Sequence, residues 1–230
     1  MTGVQTCALP ICPNGDIVTA RKGSAFYTLK VMGRAAHAGV EPEKGASAIL
    51  ELAYLTIGLH QLNGIRPGVT INVGVVQGGT KGNVVPAEAS AQVDVRALTR
   101  DDLALVHERI QALVARPTVP GVAVTVTGQP DNPPMPRTPA NAALAALALA
   151  AAEAAGFAVG ENLSGGVSDA NFCAGQGVPT LDGLGPVGGD DHSPDEYLEL
   201  DSIAPRIAML ARLIHLISVR YGELRSLRSS

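Results

Sequence analysis

Four stretches of the chain alternate apolar and polar residues, and two stretches between them repeat apolar residues every three or four positions. Ala25, Tyr27, Leu29 and Val31 face one way and Thr28 and Lys30 the other. Val69, Ile71, Val73 and Val75 alternate with Thr70, Asn72 and Gly74, and Ala89, Ala91, Val93 and Val95 with Ser90, Gln92, Asp94 and Arg96. Val122, Val124 and Val126 make a fourth run. A period of two is that of a half-buried strand. Between the first two runs, Gly45 to Leu62 carries Ile49, Leu52, Leu55, Leu59 and Leu62, an amphipathic helix stopped by Asn63-Gly64 and Pro67-Gly68. After the third run, Thr99 and Asp102 form a variant capping box, opening a helix whose stripe is Leu103, Val106, Ile110 and Leu113. The order β-α-β-β-α-β predicts a ferredoxin-like unit over residues 23–130, a four-stranded antiparallel sheet with two helices on one face.

Beyond it the pattern changes. Asp131 to Pro136 is rich in proline, which forbids regular structure and reads as a linker. An Ala-rich helix follows from Ala140 to Ala155, ended by Gly156, then a Gly-rich loop and a short apolar strand, Val178 to Leu181. A last helix starts near Asp201 with Ile203, Ile207, Leu210, Ile214 and Ile217 as its inward stripe. Two helices and a strand or two cannot close a core alone, so residues 131–230 read as part of an α/β sandwich. Residues 13–22 are polar, with a turn at Asn14-Gly15-Asp16, and are expected to belong to the same domain. Met1 to Cys12 has no periodicity, no basic region and no long apolar core, and reads as an artefactual leader on a truncated gene. The fold class is α/β (α+β).

Composition narrows the function. A net charge of −4 gives no cationic field for nucleic acid or an anionic membrane. Tryptophan is absent and aromatics are 3%, so base-stacking platforms are not expected either. The apolar block Ala142 to Ala152 is shorter than the roughly 20 residues of a spanning helix. Three cysteines make no disulfide framework, and Cys173 reads as a small core residue in a reducing cytoplasm.

The candidate chemistry lies in loops. His37 follows the first strand within Gly33-Arg34-Ala35-Ala36-His37-Ala38-Gly39, among residues with almost no side chain, so its imidazole is unshielded. Gly82-Asn83 reads as a loop turn. Arg96 lies two residues from Asp94 on one strand face, placed for a salt bridge or for a substrate. Gly165-Gly166 suits a loop lining a substrate, or a tight turn. His192, after Asp190-Asp191 in a loop beyond a buried strand, sits where open α/β sheets bind ligands.

Taken together, Gly33 to Gly39, Gly82-Asn83-Val84-Val85-Pro86, Asp94-Val95-Arg96, Gly165 to Ala170 and Gly189 to Glu196 resemble the di-zinc metallopeptidases of family M20, of glutamate carboxypeptidase, aminoacylase and desuccinylase type. The resemblance spans Asn14 to about Ser218. It implies a lid and dimerisation domain followed by the later part of a catalytic domain. It also implies hydrolysis of the amide of a small peptide or N-acyl amino acid, with two Zn2+ per site, or Co2+ or Mn2+. By that resemblance His192 is a metal ligand, and His37 is catalytic, reaching a partner's active site across a homodimer to steady the oxyanion. Asn83, Arg96, Gly165 and Gly166 are implied to contact substrate. The chain departs from the family in having no His-x-Asp and no Glu-Glu, and has Gly128-Gln129-Pro130 where some relatives carry a carboxylate-gripping arginine. As it stands it is expected to be inactive. A non-catalytic dimerisation module and a small-molecule-binding regulatory domain remain alternatives, which need no histidine at position 192.

Overall fold

The computed structural model describes residues 5–6, 14–190, 193–220 and 222. They fall into two compact units, residues 23–132 and residues 1–22 with 133–230.

The first unit holds β3 (Gly23–Met32), α1 (Ala48–His60), β4 (Thr70–Gly78), β5 (Glu88–Ala97), α2 (Arg100–Val114) and β6 (Ala123–Asn132). Its sheet runs β4-β5-β3-β6, antiparallel throughout, which is the ferredoxin-like arrangement expected from the alternation. Ala25, Tyr27, Leu29 and Val31 of β3 and Ala89, Ala91, Val93 and Val95 of β5 share one face, and both helices cover it through Leu52, Leu55, Leu59, Leu103, Val106 and Ile110. Ser47 caps α1 by accepting from the Leu50 amide, and Thr99 caps α2 by accepting from the Asp102 amide.

Three details of this unit differ from the sequence pattern. Ile49, expected in the α1 stripe, is 44% exposed, and Glu51 is buried on the inner face of α1. The alternation of β4 breaks at Gly74, where a bulge between Val73 and Val75 re-registers the strand and turns Val75 outward. Third, β6 continues beyond Val126 through Pro130 to Asn132, so the proline-rich segment is partly strand. An edge strand tolerates proline, which has no ladder donor to lose. Gly128 is required there: its φ is +122°, and a Cβ would stand 2.0 Å from the Phe26 carbonyl oxygen.

The second unit holds β1 (Gln5–Thr6), β2 (Ile17–Arg21), α3 (Pro139–Ala154), β7 (Glu161–Ser164), α4 (Asp169–Gly175), β8 (Thr180–Leu181), β9 (Gly188–Gly189), β10 (Tyr197–Leu198) and α5 (Ile203–Val219). β2 pairs parallel with β7, β1 parallel with β8, and β9 antiparallel with β10. Gln5 and Thr6, within the segment read as a leader, thus form a two-residue pairing. Met135, in the predicted linker, exchanges both backbone hydrogen bonds with Arg21. α3 and α5 pack together through Leu144, Ala148, Ala151, Met209 and Leu213, over Ile17, Leu181 and Leu184. Cys173 is half-buried rather than in the core.

The inward stripe of α5 also differs. Arg206, Met209, Leu213 and Ile217 face in, while Ile207 and Ile214 are exposed. The helix is apolar on two sides, so periodicity alone cannot choose between them. Arg206 fixes the choice by donating from Nη2 to the Gly15 carbonyl and lying 5.4 Å from the Phe157 ring. By length and composition Leu200–Val219 could cross a membrane, with a mean hydropathy of 1.4. One side of it packs against α3 and buries Arg206.

Candidate functional site

Each unit carries one cluster of the candidate residues. In the first, β3 ends at Met32 and the chain turns at Gly33, where a Cβ would come 2.0 Å from the Ala46 carbonyl oxygen. Arg34 and Ala46 then exchange both backbone hydrogen bonds at 2.9 Å, fixing the base of the His37 loop. Its tip is joined to the segment before β5, since the Ala38 amide donates to the Asn83 carbonyl at 3.0 Å and the Val85 amide to the Ala36 carbonyl at 2.9 Å. His37 and Val84 form the bridge between them. The structure therefore brings His37 and Asn83 together, both exposed.

His37 has a defined hydrogen-bonding state. The Gly39 amide donates to Nδ1 at 3.2 Å, which makes Nδ1 the acceptor nitrogen. In the neutral ring the proton then sits on Nε2, leaving an N–H donor free to meet an incoming oxygen. Beside this loop opens a depression of about 690 Å³, lined among others by Lys30, Met32, Gln77, Thr80 and Val84.

Arg96 does not join His37. In the sheet register it pairs with Ser24 and Thr70, while the His37 loop leaves from the Met32–Glu88 end. Eight residues of strand separate Glu88 from Arg96, about 27 Å at the usual rise. Its guanidinium is committed to Asp94, with Nε 2.8 Å from Oδ1 and Nη2 2.9 Å from Oδ2, and lies 5.4 Å from the Phe26 ring centre. This geometry is a salt bridge within one strand.

In the second unit, Gly165 and Gly166 form the loop between β7 and α4. Ser168 caps α4 in a capping box with Asn171, whose side-chain amide donates to the Lys22 and Pro133 carbonyls. Arg21 and Asp182 lie buried beneath the loop and were not singled out by sequence pattern. The available signal was a charge at the end of each short apolar strand, Ile17–Arg21 and Thr180–Leu181, because a buried strand charge needs a partner. His192 falls between β9 and β10, outside the described residues; Asp190, two positions before it, takes φ of +56°. Among the described residues no three His, Cys, Asp or Glu side chains come together to hold a metal ion, so these residues by themselves do not fit one.

Comparison with known proteins gives this arrangement a context. Residues 19–122 match the M20 peptidase dimerisation domain. The chain is 28% identical over 194 residues to carboxypeptidase G2 of Pseudomonas sp., covering 84% of this chain and 47% of that protein. It is 36% identical over 125 residues to one component of the p-aminobenzoyl-glutamate hydrolase of Escherichia coli, covering 54% and 28%. Residues 19–122 thus carry a peptidase dimerisation domain of M20 type. Among solved structures, aminopeptidase PepT of Bacillus cereus superposes with a TM-score of 0.81 at 25% identity, over 94% of this chain and 57% of that one. The M20 relatives are hydrolases, and M20 peptidases are metal-dependent. The chain spans about half the length of the relatives it matches.

Proposed function

We propose that this chain supplies the lid and part of the catalytic unit of a zinc-dependent amidohydrolase acting on a small peptide or an N-acyl amino acid. An acylated glutamate of the p-aminobenzoyl kind, named for the Escherichia coli relative, is a fitting test substrate. The observation that carries the reading is the state of His37, with Nδ1 occupied by the Gly39 amide and Nε2–H presented at the tip of a braced loop. An amide carbonyl under attack develops negative charge on its oxygen, and a pre-oriented N–H donor favours that charge more than the ground-state carbonyl. Asn83, tied to the same loop, offers a second polar contact from the same side. In this reading His192 would be one ligand of a metal completed by residues outside this chain, and such a metal would supply Lewis acidity at the site. The sequence composition fits a cytoplasmic setting.

The partner in this reading is a second copy. β4 is an edge strand with no charged residue from Thr70 to Gly78, and among the described residues no strand lies along its outer edge. The neighbouring outward face of α1 exposes Ile49, Leu50, Tyr54 and Ile57. An uncharged edge beside an apolar helix face favours pairing with an identical edge. His37 then serves the active site of the partner.

Complementation tests both parts in a full-length protein carrying this chain. His37→Ala and His192→Ala homodimers should each lose about 10²–10³ in kcat, the usual loss for an oxyanion donor, or more. Mixed and exchanged, they should regain chelator-sensitive hydrolysis of p-aminobenzoyl-glutamate, because one site receives His192 from one chain and His37 from the other. Verified exchange without recovered activity refutes action in trans. Full activity of His37→Ala refutes the oxyanion role.

A further inference from the structure

Arg21 is among the largest buried side chains of the protein, 2% exposed at the end of β2, and the oxyanion reading gives it no task. Its Nε donates to Asp182 Oδ2 at 2.8 Å, and Nη2 lies 2.8 Å from the same oxygen as an ion pair. The remaining nitrogen, Nη1, reaches away from Asp182 to the Gly-Gly loop. There it donates to Ser164 Oγ at 3.0 Å and to the Gly166 carbonyl at 3.1 Å. Asp182 is tied in turn: Oδ1 accepts from the Gly183 amide at 2.8 Å, and Oδ2 accepts from the Ser168 hydroxyl at 2.6 Å.

The loop is therefore clamped at both ends by one buried pair. Gly166 has both backbone groups engaged, its carbonyl by Arg21 and its amide by Ser164 Oγ at 3.2 Å, and a Cβ on it would lie 3.6 Å from Nη1. Gly165 differs. A Cβ there would meet nothing within 4 Å. The two glycines thus have separate roles, Gly166 as the anchored foot and Gly165 as the open edge. For stability alone a buried ion pair is a poor choice, since apolar residues of similar volume serve as well. What a guanidinium adds is direction: its planar fork fixes where each hydrogen-bonded oxygen points.

We propose that Arg21 is a positioning residue of the substrate loop: locked to Asp182, it holds Ser164 and the Gly166 carbonyl so that Gly165 stays presented to substrate. This rests on the amidohydrolase reading in taking the loop to line the substrate site.

The test is amide hydrogen exchange, read by mass spectrometry on the chain as it stands, comparing peptides across residues 161–172 with those of α3 and α5. Residues 23–132 serve as an internal reference. Ser164→Ala removes one anchor and no charge, and Arg21→Lys keeps the charge but lacks the fork, so both are suited to preserve the fold. Each should speed exchange at residues 164–168 by about 10-fold or more, the factor implied by losing a charge-assisted hydrogen bond. The α3 and α5 peptides should be unchanged. Arg21→Gln should exceed Arg21→Lys, which as the conservative variant retains part of the protection. If Ser164→Ala and Arg21→Lys leave the loop at wild-type rates, the positioning role is overturned, even where Arg21→Gln unfolds the unit. A uniform rise across the whole unit overturns it also, because Arg21 is then a general stability element. A second arm adds N-acetyl-L-glutamate to the wild type and to Arg21→Lys. Protection of the Gly165 peptide in the first and not the second supports the proposal. No protection in the wild type tells against the substrate reading, while the first arm still decides the anchoring.

Discussion

Glu51 provides a quantitative check on the lid unit. It stands in the first turn of α1, where an acidic residue ordinarily points to water and meets the helix dipole favourably. Here it is 1% exposed. One carboxylate oxygen, Oε2, accepts from the Thr118 amide at 2.8 Å and the Val119 amide at 2.7 Å, and so ties the turn after α2 to the start of α1. The other, Oε1, is buried with no hydrogen-bond partner among the described residues. Each hydrogen bond to a charged group contributes about 1.5–3 kcal/mol, and leaving a buried polar atom unpaired costs about 1–3 kcal/mol. The central values, about 4.5 kcal/mol for the two bonds less about 2 for the unpaired oxygen, leave a net contribution of about 2–3 kcal/mol, near the lower end because water can reach the freed amide of the exposed Thr118. Glu51→Ala should destabilise the unit by that amount. Glu51→Gln should lose less than half as much, since its amide oxygen still accepts and only the charge is removed. Urea unfolding followed by circular dichroism gives both values, and amide exchange at Thr118 and Val119 gives the local effect. A Glu51→Ala variant within about 0.5 kcal/mol of wild type, the behaviour of an ordinary surface change, refutes the anchoring.

Two further outcomes are expected in the same unit. Leu52→Ala should cost about 2–5 kcal/mol and Val106→Ala somewhat less, as for buried aliphatic truncations, whereas Ile49→Ala should cost little in the monomer; equal losses at Leu52 and Ile49 in urea unfolding would contradict the observed helix face. Tyr27, buried with its hydroxyl 3.0 Å from His107 Nδ1, has its phenol pushed up to about 12 by burial. The folded chain therefore keeps this proton longer than the unfolded one. The associated stability is whole below the ordinary value of 10.0 and is lost as pH rises toward about 12. Urea midpoints between those limits should fall for wild type and stay flatter for Tyr27→Phe.

How far the sequence carried the fold depended on how many faces each element has to bury. β3 and β5 bury one face, so alternation located both strands and their inner residues without error. β4 lies at an edge and bulges at Gly74, and there the period of two ceased to report burial. α5 is apolar on two sides, and the choice of inner face was made by Arg206 and Gly15, 191 positions apart. The candidate site divides in the same way. The loops of His37, Asn83 and Gly165-Gly166 were visible as small-residue punctuation between periodic segments. Arg21, Asp182 and Glu51 were not, because a charged residue in a sequence reads as solvated and its burial depends on partners 67 to 161 positions distant.

The two clusters are also held by different forces, with consequences for how each tolerates change. The His37 loop is braced mainly by backbone hydrogen bonds, Arg34 with Ala46, Ala38 with Asn83 and Val85 with Ala36, with Arg34 Nε also donating to the Lys44 carbonyl. Backbone bonds do not depend on side-chain identity, so residues such as Ala35 and Ala38 are free to vary so long as the backbone can follow, and Gly33 is fixed by the close approach of Ala46. The Gly165-Gly166 loop is held by side chains, and every member of Arg21, Asp182, Ser164 and Ser168 has a neighbour that loses its partner when it changes. In a dry interior, removing one member of a paired charge leaves the other uncompensated. Backbone bracing suits a loop that presents one side chain to an outside partner. Side-chain clamping suits a loop whose own backbone is the recognising surface, because nothing but the direction of its peptide groups then carries the specificity.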